Sequence, residues 1–235
     1  MKYVAKGVSP AAFEAWKDKA NDDWQPTYSN LRNPEKRALH TALLDEQGWV
    51  CCYCGRSVTL EDSHIEHFRP QHSYDVLGLR YDNLHASCVR AAEPTPDRPL
   101  ICGHAKGREF NEDLYIAPID PGCEARYIYS QDGAIRPTEL SDAQAIEMAR
   151  VLALDLPILR AGRSEVLKVF DSAFLETASV DELMQLRDAF RRKDDAGRLP
   201  AFGHVVARYA EQCLADIPPA GDAVADVPAP MPGVQ

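Results

Sequence analysis

Apolar positions recur at helical spacing in two blocks of the chain, separated by a stretch with no such period. Ser9-Pro10 reads as an N-cap followed by a proline at the first helical position, and Phe13 and Trp16 follow one turn apart, so a short helix is expected through about Lys19. Asn33-Pro34 repeats the device, and Leu39, Leu43 and Leu44 form a stripe that ends near Gly48, which predicts a second helix. From Trp49 to about Arg136, cysteines, histidines, prolines and turn residues leave only the short apolar runs expected of small strands and loops. After Pro137 the helical period returns, with Ser141 as a cap and Ile146, Ala149, Leu152 and Leu156 on one face before Pro157. Three further helices are expected: residues 159–177, a helix opened by the Ser179…Glu182 capping box and running to about Lys193, and residues 202–214. The pattern predicts a mainly α protein around one small α+β unit, in four segments: a helical lead over 1–48, the central unit over 49–136, a second helical region over 137–216, and a tail over 217–235. That tail is nearly all Pro, Ala, Gly, Val and Asp, which bury too little surface to offset ordering entropy, so it is expected to be flexible.

The 235 residues are 45% hydrophobic, ample for a core. No run approaches the roughly 20 apolar residues of a membrane span, and the first residues lack the apolar centre of a secretory signal, so a cytoplasmic location with no membrane contact is expected. Charge changes the picture more. The net charge is −10, and residues 111–235 hold most of the excess, with 12 basic against 21 acidic side chains. Such a chain gains little from general attraction to polyphosphate, so any nucleic-acid contact requires a local basic patch or a partner.

Seven cysteines, an odd number, suggest metal ligation ahead of a disulfide framework in a compartment that keeps thiols reduced. Cys51 and Cys54 have the C-x2-C spacing that lets two thiolates on one turn take adjacent corners of a tetrahedron. Cys88 and Cys102 form a second potential pair across thirteen residues rich in proline and charge. All four together would make a closed zinc site that supports folding and does no chemistry. A redox role for Cys51 and Cys54 is the metal-free alternative, without the βαβ pattern that usually surrounds one. Cys52, Cys123 and Cys213 read as small buried or surface thiols.

Beside the cysteines lie Ser63-His-Ile-Glu-His-Phe-Arg-Pro70, Tyr81-Asp-Asn-Leu84, and Cys102-Gly-His-Ala-Lys-Gly107. In this order and spacing they resemble the HNH endonuclease signature. The resemblance implies a ββα-metal finger inserted between the two helical regions, its strands falling at about 63–69 and around Leu79. It implies metal-dependent hydrolysis of nucleic acid, with His67 as general base, Glu66 facing a catalytic Mg2+ or Mn2+, and Asn83 orienting the histidine and bracing its loop. Many family members place a metal ligand immediately after the last cysteine. Here that slot is Gly103, so His104 is the expected ligand, a backbone-bonded or surface histidine being the alternative. Arg69, Lys106 and Arg108 are expected phosphate contacts. His64 is expected to pack structurally, with an accessory ligand as the alternative, and His72 and His85 read as surface or loop residues.

The resemblance extends further. Leu43-Leu-Asp-Glu-Gln-Gly48 leading into the cysteines, and Pro118-Ile-Asp-Pro121 with Cys123-Glu124, Tyr127 and Asp132-Gly133, look like the retron- and Septu-associated HNH proteins called PtuB. That family implies a bacterial anti-phage effector acting on DNA, or on RNA such as tRNA, with an ABC- or SMC-like ATPase partner of the PtuA type. A retron reverse transcriptase complex is a further candidate partner. The opposing expectation is a catalytically silent zinc module that binds nucleic acid or protein.

Overall fold

The computed structural model describes residues 1–88 and 99–217. Most of the insertion between Cys88 and Cys102, and the expected tail beyond residue 217, lie outside the described residues.

Two helices lead into the cysteines. Helix α1 (Ala11–Lys17) buries Phe13 and Trp16, and α2 (Glu35–Gln47) buries Leu39, Leu43 and Leu44. The stripes read from sequence are therefore the buried faces. The caps differ from expectation: neither helix has a side-chain N-cap, and the Ser9 hydroxyl turns to the Glu14 carboxylate instead. The end of α2 is as expected, with Gly48 at φ 67°, a left-handed conformation that closes the helix.

Strands β1 (Ser63–His67) and β2 (Leu84–Cys88) pair antiparallel, with Ser63 opposite Cys88 and His67 opposite Leu84. The expected second strand near Leu79 is instead a turn region, and β2 begins five residues later. All five β2 residues are buried, so no alternation of polar and apolar positions marked it. A short helix, α3 (Cys102–Lys106), packs on β2.

The chain then forms a small hairpin, β3 (Tyr127–Tyr129) with β4 (Ile135–Pro137), which the sequence pattern did not predict. Its turn needs glycine: Gly133 has φ 79°, and a Cβ there would lie 2.0 Å from the Arg160 carbonyl. Arg163, almost fully buried, holds the turn by donating to Gly133 O at 2.6 Å and to Leu154 O at 2.8 Å.

Helix α4 (Ala143–Val151) is capped by Asp142, not Ser141. It ends at Val151, five residues short of Leu156, with Ala153 in a left-handed conformation at φ 51°. The single helix expected over 159–177 is two, α5 (Pro157–Leu167) and α6 (Ser172–Thr177), because Asp171 caps a new start by accepting from Phe174 N. The Ser179–Glu182 capping box does open α7 (Val180–Arg191), and α8 (Gly203–Ala215) packs along α7 and against α5 and β3. One cluster of buried apolar side chains runs from Met1 through the cysteine region to Ala210, so strands and cysteines sit inside a shared core. Among the described residues no helix is long and apolar enough to cross a membrane.

Candidate functional site

The four cysteines of the sequence pattern converge. The Sγ atoms of Cys51, Cys54, Cys88 and Cys102 all lie within 4.8 Å of one another, and all four residues are buried. Zinc–thiolate bonds of about 2.3 Å in a tetrahedron place the sulfurs about 3.8 Å apart, and the Cys54–Cys88 separation is 3.8 Å. The donor set therefore fits a closed zinc site. Backbone amides already face it: Tyr53 N and Cys88 N donate to Cys51 Sγ at 3.5 and 3.3 Å. Burial alone would raise the Cys51 thiol pKa, but contacts from Cys102, Cys52, Cys54 and Cys88 outweigh it and hold it well below its ordinary value. Cys52 is buried outside the group, and burial pushes its thiol well up. Zinc at this centre would fix the turn of residues 51–54, the end of β2 and the start of α3 to one another.

β1 distributes the motif residues by strand alternation. His64 and Glu66 share one face, under α3, while His67 points to the other. On the α3 face, Glu66 Oε1 accepts from Tyr53 Oη at 3.2 Å and pairs with Lys106 Nζ at 2.9 Å, and His64 Nε2 lies 3.4 Å from Oε2. The His64 and His104 rings are 4.3 Å apart. Gly103 permits this close approach: a Cβ there would lie 2.5 Å from Glu66 Oε2 and 2.9 Å from His64 Nε2. Burial would raise the Glu66 carboxyl, but His64 and Lys106 more than compensate and hold it below the usual value.

Lys106 corrects one expectation. Its side chain is 0% exposed, and its ammonium donates to His67 O at 3.1 Å and Phe68 O at 3.3 Å while pairing with Glu66, so it meets no phosphate. A catalytic divalent ion also does not fit the residues as arranged. Both oxygens of Glu66 are engaged and its charge is met by Lys106. Among the described residues, Glu66 and His104 do not close with a third donor into a group like that of the cysteines.

On the opposite face, His67 Nε2 donates to Gly78 O at 3.0 Å, and its ring meets the Tyr28 ring edge-on with centroids 4.4 Å apart. Burial holds the His67 pKa below 6.5 against the raising effect of the Gly78 bond. Asn83 does not bond the histidine. It braces the loop instead, accepting from Arg69 N at 2.8 Å and donating to Arg69 O and Leu77 O at 3.1 and 3.2 Å, one residue from Gly78. Arg69 and Arg108 are exposed or half-exposed, Arg69 in a two-pronged pair with Glu112. His85 is not a surface residue but is fully buried in β2 opposite Glu66. Tyr28, Tyr53 and Gly78 were not found from sequence, because each reaches the site through folding: Tyr53 lies inside the Cys51–Cys54 turn, and Tyr28 and Gly78 lie outside the motif segments.

With this geometry in place, comparison with known proteins adds one likeness. No family model matches the chain. A protein of Vibrio cholerae serotype O1 biovar El Tor named "Retron Vc95 putative HNH endonuclease" is 27% identical over 113 residues, 47% of this chain and 50% of that protein. The chain spans about half the length of the curated relative it matches.

Proposed function

We propose that the chain is an endonuclease that hydrolyses nucleic-acid phosphodiester bonds, DNA in the first instance, with His67 as the general base. The His67–Gly78 contact carries this reading. A carbonyl only accepts, so Nε2 holds the hydrogen and Nδ1 keeps the lone pair. With its pKa held below 6.5 the ring is neutral near pH 7, the form that can take a proton from water as that water's oxygen bonds to phosphorus, the phosphorus–sugar-oxygen bond breaks and the departing oxygen takes a proton from solvent. Asn83 acts through the loop that presents Gly78. Arg69 and Arg108 are the remaining motif candidates for phosphate contact.

The finer setting we assign is anti-phage defence with a partner that supplies basic surface, an ABC- or SMC-like ATPase or a retron reverse transcriptase complex. The retron in the relative's name and the acid excess of this chain support that setting. One observation favours the second reading, a silent zinc module: Lys106 already neutralises Glu66, the residue expected to hold a catalytic ion.

Nicking of supercoiled plasmid by zinc-loaded wild type and His67→Ala protein, each with Mg2+, Mn2+ or excess EDTA and with a tRNA lane, separates the two. The nuclease reading expects cleavage that falls by roughly 100-fold or more in His67→Ala. Loss of cleavage in EDTA that Mg2+ or Mn2+ restores on zinc-loaded protein would mean that a divalent ion displaces Lys106 from Glu66. Equal cleavage by both proteins removes His67 from the role of base, and no cleavage by folded protein under any condition leaves the zinc module.

A further inference from the structure

A chain with a net charge of −10 needs a local basic patch to hold nucleic acid without a partner, and the motif segments do not provide it: Lys106 is buried and Arg69 is paired with Glu112. Elsewhere most cations are matched. Arg80 pairs with Asp82, Arg126 with Asp142, Arg150 with Glu147, and Arg160 with Asp155. Several cations have no carboxylate partner among the described residues, including Arg32, Arg56, Arg108, Arg136, Arg192, Lys193 and Arg198, but of the unpaired cations Lys36 and Arg37, on the first turn of α2, are the ones that line a groove running to the motif strand.

Both line a groove of about 330 Å³ that runs between α2 and β1. Its walls are polar, with Ser63 and His64 on the strand side, and the one carboxylate on its rim is Glu61. Tyr28 joins the groove to the site, since its ring lines the groove and meets the His67 ring edge-on. Lys36 Nζ lies 5.0 Å from the centroid of the same Tyr28 ring, and its charge is among those that lower the His67 pKa. The unpaired cations, the polar groove and the candidate base are therefore contiguous.

We propose that this groove binds the phosphate backbone of the substrate strand, with Lys36 and Arg37 holding phosphates beside the one that faces His67. The proposal rests on the nuclease reading for its biological sense, but not for its test. Both residues are positioning residues: they neutralise phosphate charge, carry no base specificity and leave the chemical step to His67.

The test is the salt dependence of binding. Affinity for a labelled DNA duplex and for its single strand is measured by fluorescence anisotropy on zinc-loaded protein, without added Mg2+ or Mn2+ and without chelator, from about 50 to 200 mM salt. Wild type is compared with Lys36→Gln/Arg37→Gln and with Lys168→Glu, which makes the same change in net charge at an exposed residue of the far helical region. Loss of two phosphate contacts predicts about tenfold weaker binding or more, and a log–log salt slope shallower by about two. Lys168→Glu should match wild type. In turnover assays the double variant should raise KM and spare kcat, the reverse of His67→Ala. Equal affinity and slope in the two charge-matched variants overturns the groove, as does wild type that binds neither probe. Groove-dependent binding with no cleavage keeps the groove and removes the nuclease reading, and cleavage unaffected by the double variant does the opposite.

Discussion

Lys106 shows how residue type and residue role part company. As the penultimate residue of Cys102-Gly-His-Ala-Lys-Gly107 it looks like a surface cation beside a nucleic-acid motif. In the fold its stem is buried and its three donors are spent on Glu66, His67 O and Phe68 O, which closes the end of β1. Removing one partner of a buried pair leaves the other charge uncompensated, at a cost of about 3–5 kcal/mol. Lys106→Met should therefore lower the denaturant midpoint strongly in zinc-loaded protein. Glu66→Gln/Lys106→Met should recover much of the loss, because no lone charge remains. A Lys106→Met protein as stable as wild type would contradict the pairing. The convergence of the four cysteines was legible because their spacing carries chemistry, whereas Asn83 was expected to bond the histidine and instead braces the loop beside it. The contacts that Tyr28, Tyr53 and Gly78 make to the motif residues were not legible, since each is made across the fold.

At the scale of elements, legibility followed local signals. Gly48 and the Ser179–Glu182 box mark real helix ends, and both were read correctly. The start of α4 shows the limit: Ser141 and Asp142 are both good caps, and backbone geometry selects Asp142. Its carboxylate accepts from Ala145 N at 3.0 Å and takes a two-pronged contact from Arg126 at 2.7 and 2.6 Å. Asp142→Ala loses both the cap and the tie to the segment leading into β3, so a loss of about 1–2 kcal/mol is expected by urea denaturation. Ser141→Ala should change stability little. Equal effects of the two substitutions would return the cap to Ser141. The break between α5 and α6 went unread because no glycine or proline punctuates residues 168–171 and the cap is a lone aspartate.

For the whole molecule, the shared core makes the four-cysteine centre, whose donor set fits zinc, a matter of global stability. Its four thiols lie within the apolar cluster, and Cys102 N donates to Leu152 O at 2.8 Å, which ties the centre to the end of α4. Zinc sites of this kind contribute binding free energy on the order of 10 kcal/mol. Cys54→Ser or Cys102→Ser protein should bind no zinc and lose its cooperative thermal transition, whereas Cys213→Ser should keep both. Cooperative melting unchanged by complete zinc removal would contradict a structural role.

Acid should act on the same core through a different group. His204 on α8 is buried against Gly55, and burial, with the Met1 amine, Lys2 and Arg163 nearby, holds its pKa well below 6.5, so it is neutral in the fold. In the unfolded chain it takes up a proton at about pH 6.5. Below that pH the unfolded state binds the extra proton, so this contribution to stability is complete above about pH 6.5 and is lost as pH falls, at about 1.4 kcal/mol per pH unit until the folded pKa is reached. Thiolate protonation at the zinc centre adds its own acid slope, so the informative quantity is a difference between proteins. His204→Gln removes the titrating group whatever it does to stability at neutral pH. Its unfolding free energy, followed by urea denaturation from pH 7.5 to pH 5, should fall less steeply than that of wild type by about one proton. Parallel slopes would mean that His204 titrates in the fold as it does in the unfolded chain, which its burial among cations argues against.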